Sequence, residues 1–353
     1  MKYKIATVAI SIVIVLLLNL QLVSFEWFGV LFGVVIVSAL LYRNKKIDKW
    51  GVIANATIFL MITVAYSFYF VPSIGIAKVS GPILSDNWFQ MLTWIHDNTP
   101  NCTVIATYWD PGHFITGIAR RPVVFDGASQ GATRTMEING TVVVFSRIQD
   151  IATTLLTTDE DKALDILRKY RNPNCNEMYY IASQDLLGKS VWWSYFSTWD
   201  PAREGEKGDK YSYLIIQRSQ SRPLLDQNAI AHIYPLSEQQ AFVIFERQND
   251  TSAFLQQGTA VAEVQELFFF TKDGQGALKT SPNSQVQGLI WLSPDKNAII
   301  FAPPQLKDSL FTRMYLFNGI GLNNFELVNV WGGEVKLFKV KFKDGPPTDT
   351  RRG

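Results

Sequence analysis

The sequence predicts a membrane α-helical N-terminus of three spans, then an extracytoplasmic α/β domain, then a β-rich domain. Three observations carry this. The first 72 residues hold three apolar runs, Ile5–Val23, Trp27–Tyr42 and Trp50–Val71, of which the first and third are long enough to cross a bilayer. Between residues 85 and 223 short apolar strands alternate with amphipathic helices, as in an open, mainly parallel α/β sheet. From Leu224 onward, runs such as "AFVIFER", "VQELFFF" and "EVKLFKVKF" are separated by Gly, Asn, Asp and Pro. That texture reads as β-rich, with one helix around "DSLFTRMYLF". The expected organisation is a transmembrane region at 1–72, a linker at 73–84, the α/β domain at 85–223 and the β-rich domain at 224–353.

Orientation follows from the cations. Lys2 and Lys4 precede the first run, "RNKKIDK" joins the second to the third, and only Phe25 and Glu26 separate the first from the second. The positive-inside rule then places the N-terminus in the cytoplasm and everything after Val71 outside, in a multi-pass protein of the cell membrane. In that oxidising space Cys102 and Cys175 can form a disulfide, with two buried thiols as the alternative. The outer region also carries Asn-x-Ser/Thr sequons at Asn101, Asn139 and Asn249, while that at Asn55 falls inside the third run. With 33 basic against 31 acidic residues, a net charge of +2 and no long basic tract after the membrane region, the electrostatic footprint of a nucleic-acid partner is missing.

Along the outer region, "PSIGIAKVSGPIL" reads as the linker. Ser85 caps a helix with Trp88, Leu92 and Ile95 on one face, stopped by Pro100. A strand over Thr103–Thr107 runs into "YWDPGH", and "FITGIA" gives one or two helical turns followed by exposed Arg120 and Arg121. "PVVF" predicts a short strand ending at Asp126, and "RIQDIATTLL" a helix. Thr157 stands three before Glu160, the spacing of a capping box, ahead of a helix with Ala163, Ile166 and Leu167 on one face. The strand "MYYIAS" ends just before Asp185, and "SVWWSYF" is an aromatic helix. Asp110, Asp126 and Asp185 thus all fall at strand ends, where open α/β sheets bind ligands.

The segment Tyr108-Trp109-Asp110 has two readings. A carboxylate accepts hydrogen bonds while indole and phenol donate them, so together they can grip a hydroxyl as donor and acceptor. Such a pocket rejects ligands lacking the hydroxyl, because its polar groups would be left unpaired. Alternatively Asp110 caps the following helix and Pro111 sets a turn. A third arrangement gathers Asp110, His113, Asp126 and Asp185 as oxygen and nitrogen ligands of a divalent ion, as a metal-dependent hydrolase would. No phosphate-binding glycine loop, HExxH motif or GxSxG elbow is present. His96 and His232 read as surface or packed residues.

The stretches "WIHDNTP", "ATYWDPGHFITGIARRPVVFDGASQG" and "IASQDLLGKSVWWSYFSTWDP" together resemble the archaeal catalytic subunit of oligosaccharyltransferase. The similarity spans roughly residues 50 to 345. That family's WWDYG signature is matched by Tyr108-Trp109-Asp110-Pro111-Gly112, with Tyr in place of the first Trp and Pro in place of the Tyr. The resemblance implies that Tyr108, Trp109 and Asp110 bind the Ser or Thr hydroxyl two residues after the acceptor Asn. It also implies an auxiliary pocket from Asp185 and Lys189, set one residue further apart than in the family pattern, and a downstream Met/Ile position at Trp192 or Trp193.

The activity implied is transfer of a lipid-linked oligosaccharide to Asn in Asn-x-Ser/Thr. The partners implied are an acceptor polypeptide, the lipid-linked oligosaccharide and the membrane. A divalent metal, Mg²⁺ or Mn²⁺, is expected for the complete enzyme, held in outer loops between membrane spans. This chain has only Phe25-Glu26 as such a loop, so no metal ligand and no catalytic residue is assigned to it. An N-terminal portion or a complementary catalytic chain is expected to supply them. The competing reading is a non-catalytic, membrane-anchored binding or assembly subunit that keeps the fold.

Overall fold

The computed structural model describes residues 42–45, 48–51, 84–129, 131, 133–138, 141–175, 177–224, 229–247, 250–271 and 273–342. The three expected spans and the linker up to Ile83 lie almost wholly outside the described residues. No helix among the described residues is long and apolar enough to cross a membrane. The chain divides into two compact units, Met1–Ile83 and Leu84–Gly353. In the first, Gly51 donates its N–H to Asp48 at 2.8 Å; all that follows concerns the second.

The second unit opens with helix α1 (Asp86–Asn98) and strand β1 (Val104–Ala106). A short α2 (Gly112–Phe114) continues as a π-helical turn over Ile115–Ala119. A hairpin of β2 (Thr133–Ile138) and β3 (Thr141–Ser146) leads into α3 (Arg147–Leu156) and α4 (Glu160–Arg168). Strand β4 (Met178–Ser183) is followed by α5 (Asp185–Gly188) and α6 (Ser190–Ser197). Strands β5 to β13 occupy Leu214–Gln217, Gln220–Leu224, Ala229–Pro235, Gln240–Glu246, Thr251–Gln257, Ala260–Phe270, Gly276–Thr280, Val286–Leu292 and Ala298–Ala302. Helix α7 (Leu310–Tyr315) and the hairpin β14 (Phe325–Trp331) and β15 (Val335–Val340) complete it.

Strands β1, β4, β15 and β14 form a four-stranded sheet in that order. Its residues alternate between two cores. Ile105, Tyr179, Ile181, Val335 and Leu337 face α1 and the π-helical turn, packing on Trp88, Met91, Leu92 and Ile95. Val104, Ala106, Met178, Tyr180, Ala182 and Phe338 face the other way, toward Ile151, Leu155, Leu164, Leu167, Phe311 and Met314 of α3, α4 and α7. Coverage on both faces is why "MYYIAS" reads as a continuous apolar run.

The sheet is mixed where a mainly parallel one was expected. β1 and β4 are parallel, with Val104 opposite Met178, but β15 runs antiparallel to β4, with Phe338 opposite Tyr180. The expected strand at Pro122–Phe125 shrinks to a parallel bridge between Val123 and Ile105. Pro122 has no N–H to give a ladder, and Val124 and Phe125 turn into the core. The C-terminal hairpin takes the other edge of β4, so β-structure from the end of the chain completes the sheet begun at residue 104.

The remaining strands, with β11 pairing on β10, form a nine-stranded sheet in the order β5, β13, β12, β10, β9, β8, β7, β6. Because β5 and β6 are consecutive, separated by Arg218 and Ser219, the two ends of this order are linked by one short stretch of chain. Ser219 donates to Ile233 at 2.9 Å and Arg218 to Asn297 at 2.8 Å, anchoring that stretch. Ile216, Tyr234, Phe242, Ile244, Leu267 and Ile290 belong to this sheet's own core.

Several local expectations are sharpened. Ser85 caps α1 as predicted, accepting from the Trp88 N–H, and its hydroxyl donates to Glu334 at 2.7 Å. Asp159, not Thr157, caps α4, accepting from the N–H groups of Asp161 and Lys162. Glu160 is thereby released from a capping box and receives the N–H groups of Asn323 and Asn324 and the guanidinium of Arg313. Arg121, expected at the surface, is 3% exposed. The buried guanidinium supplies the donors that the C-terminal carbonyls of α1 lack within the helix. Cys102 and Cys175 are disulfide-bonded, which closes the gap between the start of β1 and the approach to β4.

Candidate functional site

The site lies beyond the C-terminal ends of β1 and β4. After Ala106 the Thr107 hydroxyl donates to the Ile181 carbonyl at 3.2 Å, tying the outgoing turn to β4. Tyr108 follows at 2% exposure, its ring edge-on to Phe125 with centroids 6.3 Å apart. Burial, and after it the neighbouring Asp110 charge, push the Tyr108 phenol above its ordinary range, while the Trp109 indole offsets part of the shift. Trp109 is partly buried against the same core.

The turn itself explains Pro111. The Gly112 N–H donates to Trp109 at 3.1 Å and Ile115 donates to Pro111 at 3.0 Å. Pro111 occupies the N-cap of α2 with φ −80°, and no side chain caps that helix. An entry position needs no N–H of its own, which suits proline. Asp110 therefore does not cap α2, and its carboxylate turns across to the next strand end.

There it meets Lys189, which stands at the junction of α5 and α6. The Lys189 ammonium lies 3.1 Å from Asp110 Oδ2 and 2.7 Å from Asp185 Oδ2. Burial works against the Lys189 charge, but hydrogen bonding and attraction from Asp185 and then Asp110 outweigh it, so its pKa stands above the usual lysine range. The sign is that of a raised cation: the pairing is fully present below the usual lysine range and is lost only as pH rises through the folded value. Two carboxylates around one ammonium leave a net negative charge. Asp110 Oδ2 is also shielded from solvent, with the Lys189 ammonium as its polar neighbour, and the shielded Tyr108 hydroxyl has no hydrogen-bond partner of regular geometry. The arrangement is thus an acceptor and a donor with unused capacity beside an indole.

Asp126, the third strand-end acid, goes elsewhere. Its Oδ1 receives the Ser129 hydroxyl at 2.7 Å and the N–H groups of Ser129 and Ala128, and His113 Nδ1 stands 3.6 Å from its Oδ2. The Ser129 hydroxyl, then the backbone donors and His113, hold its carboxyl below the usual carboxylate range against the cost of burial. This loop packs directly on the turn. A Cβ at Gly112 would fall 2.5 Å from Asp126 Cβ and 2.9 Å from the Phe125 carbonyl oxygen, whereas one at Gly127 would meet chiefly the His113 ring at 3.1 Å. Gly112→Ala is therefore expected to destabilise the protein by about 1–3 kcal/mol, as forced overpacking against backbone does, and Gly127→Ala by clearly less, measured by urea unfolding.

The sheet thus brings Asp110, Asp185 and Lys189 together with Trp109 and leaves Asp126 and His113 as a separate pair. Of the two tryptophans offered for the downstream position, Trp193 is fully buried and donates to the Leu186 carbonyl at 2.9 Å, while Trp192 is 56% exposed. His232 is packed between Ser221 and Glu246, and His96 sits at the surface beside Asp97. Sequence reasoning missed the part played by Gly112 and Thr107. The spacing of "PGH" and "FDG" was the available signal, but only the fold shows the two turns touching. Among the described residues no three His, Cys, Asp or Glu side chains converge as metal ligands. The Lys189 ammonium fills the space between Asp110 and Asp185 that a cation would need, and Asp126 pairs apart with His113, so these residues do not gather as the ligand set of a metal-dependent hydrolase.

The geometry is that of a carboxylate held by an ammonium, next to an indole and a buried phenol, at the edge of a mixed sheet. No protein-family model matches the chain. In sequence it is similar to the dolichyl-phosphooligosaccharide-protein glycotransferase of Methanocaldococcus jannaschii, 24% identical over 371 aligned positions that cover 84% of this chain and 38% of that protein. The protein of the same name from Methanococcus voltae is 25% identical, over 70% of this chain and 36% of the relative. The chain therefore spans well under half the length of these relatives. Among solved structures, the C-terminal domain of PglB from C. jejuni aligns over 72% of this chain and 99% of that domain at 13% identity, with a TM-score of 0.42. The resemblance read from the motifs is thus the one the curated relatives carry in their names.

Proposed function

We propose that the chain is the C-terminal, sequon-recognising part of an oligosaccharyltransferase, which transfers a lipid-linked oligosaccharide to Asn in Asn-x-Ser/Thr. The observation that carries this is the bridging of Asp110 and Asp185 by Lys189, at 3.1 and 2.7 Å. Residues far apart in sequence, matched to one family's two motifs, meet at one sheet edge. In this reading Asp110 accepts a hydrogen bond from the Ser or Thr hydroxyl two residues after the acceptor Asn. Trp109 and Tyr108 form the aromatic wall and floor, and Trp192, exposed one turn after Lys189, flanks the opening. Lys189 neutralises part of the charge and fixes the Asp110 carboxylate through Asp185.

The chemical step belongs to an N-terminal portion or a complementary chain, with its divalent metal. The three apolar runs anchor the protein in the membrane and place residues 85–223, the acceptor-recognition domain, and 224–353, the β-rich domain, outside the cell. The curated relatives act as protein glycotransferases by name, and the chain's similarity to them supports this reading.

Titration calorimetry tests it directly. An Asn-Ala-Thr peptide is expected to bind at least about tenfold more tightly than Asn-Ala-Val, since a missing hydroxyl leaves buried polar groups unpaired at a cost of about 1–3 kcal/mol. Equal affinities would remove the pocket assignment.

A further inference from the structure

One of the chain's own sequons, Asn101-Cys102-Thr103, is folded in an unusual way. Asn101 is exposed in the turn between α1 and β1. Thr103, which carries the hydroxyl that marks a sequon, is 0% exposed. Its N–H donates to Pro100 at 3.0 Å, and its hydroxyl points inward to 3.8 Å from Cys175 Sγ. The middle residue, Cys102, is bonded to Cys175, and the next one, Val104, is paired with Met178 in the sheet. A transferase that reads Asn-x-Ser/Thr must reach the amide and the hydroxyl together. In the folded chain it can reach the first and not the second.

We infer that Asn101 is an acceptor for N-linked glycan in the open, dithiol chain, and that folding with closure of the Cys102–Cys175 disulfide withdraws it. Presenting Thr103 requires the start of β1 to peel from β4, which the disulfide opposes. Asn101 also lies at the opposite end of β1 from Trp109 and Asp110, so the modification occurs in trans and leaves the pocket uncovered. In the reaction the Asn101 amide nitrogen bonds to the anomeric carbon of a lipid-phosphate-linked oligosaccharide. The bond from that carbon to the phosphate oxygen breaks, the lipid phosphate leaves with the electron pair, and the amide gives up one proton. The inference does not depend on this chain being the transferase.

The test uses the full chain from a host without N-glycosylation, extended at its C-terminus by Asn-Ala-Thr as an internal standard. It is offered to archaeal membranes containing a transferase and its lipid-linked oligosaccharide, either disulfide-closed or reduced and alkylated. Glycopeptide mass spectrometry reads the ratio of Asn101 to the standard. The ratio is expected to be at least ~10-fold higher in the opened chain, as local opening controls access, with Cys175→Ser, which keeps the sequon intact, in between. Equal ratios in the closed and opened chains would overturn the inference. So would an unmodified Asn101 in an opened chain whose standard is modified.

Discussion

Asp110→Ala is expected to lower transfer to an Asn-x-Thr reporter in cells by at least about 100-fold, since in the proposed function it removes the charged acceptor of the sequon hydroxyl. The fold is expected to survive. Asp110 loses only a partly exposed ion pair with Lys189, 3.1 Å away, and such pairs contribute about 0–1 kcal/mol. Lys189 keeps Asp185 at 2.7 Å, so no buried charge is stranded. Asp185→Asn acts one step removed, through the position of Lys189, and its effect on transfer is expected to be smaller. The reporter is scored by glycoform mobility alongside a thermal unfolding curve for each variant. Full glycosylation with a folded Asp110→Ala protein would favour the non-catalytic assembly subunit over the transferase.

The largest effect on stability is expected at Arg121. Its guanidinium donates to the Thr99 hydroxyl at 3.0 Å, to the carbonyls of His96 and Thr99 at 2.6 and 2.5 Å, and to those of Ala119 and Arg120 at 3.1 and 3.2 Å. One side chain therefore ties the end of α1 to the end of the π-helical turn, where Arg120 adopts the left-handed conformation at φ 52°. Arg121→Met keeps much of the volume and removes every donor. Unsatisfied buried acceptors cost about 1–3 kcal/mol each, so a total loss of about 3–5 kcal/mol is expected, allowing for partial relaxation. Guanidinium-chloride unfolding measures it. A change below about 1 kcal/mol would mean that water reaches these carbonyls once the guanidinium is gone.

Much of the fold was legible because it rests on local patterns. The face of α1 made by Trp88, Leu92 and Ile95, the strand Met178–Ser183, the aromatic helix after Lys189 and the helix at Leu310–Tyr315 all follow from apolar period and caps. The partners of those elements were not legible. Nothing near residue 180 says that Val335–Val340 will lie beside it, because strand pairing depends on which apolar edges remain uncovered after the chain has returned. Arg121 misled for a related reason: an arginine beside another arginine before a proline resembles surface sequence, and only the close approach of α1 makes its donors necessary.

The candidate site divides the same way. The sequence by itself determined the chemistry of Tyr108-Trp109-Asp110, an acceptor directly after two aromatic donors at a strand end, and its resemblance to a family motif. It also set the i, i+4 relation that lets Asp185 reach Lys189. Only the tertiary structure decided that Lys189 meets Asp110, that Asp126 turns to Ser129 and His113, and that Tyr108 is buried. The reason is physical: side-chain type and short spacing are encoded along the chain, whereas contacts between residues some 70 or more positions apart are fixed by the parallel register of β1 on β4.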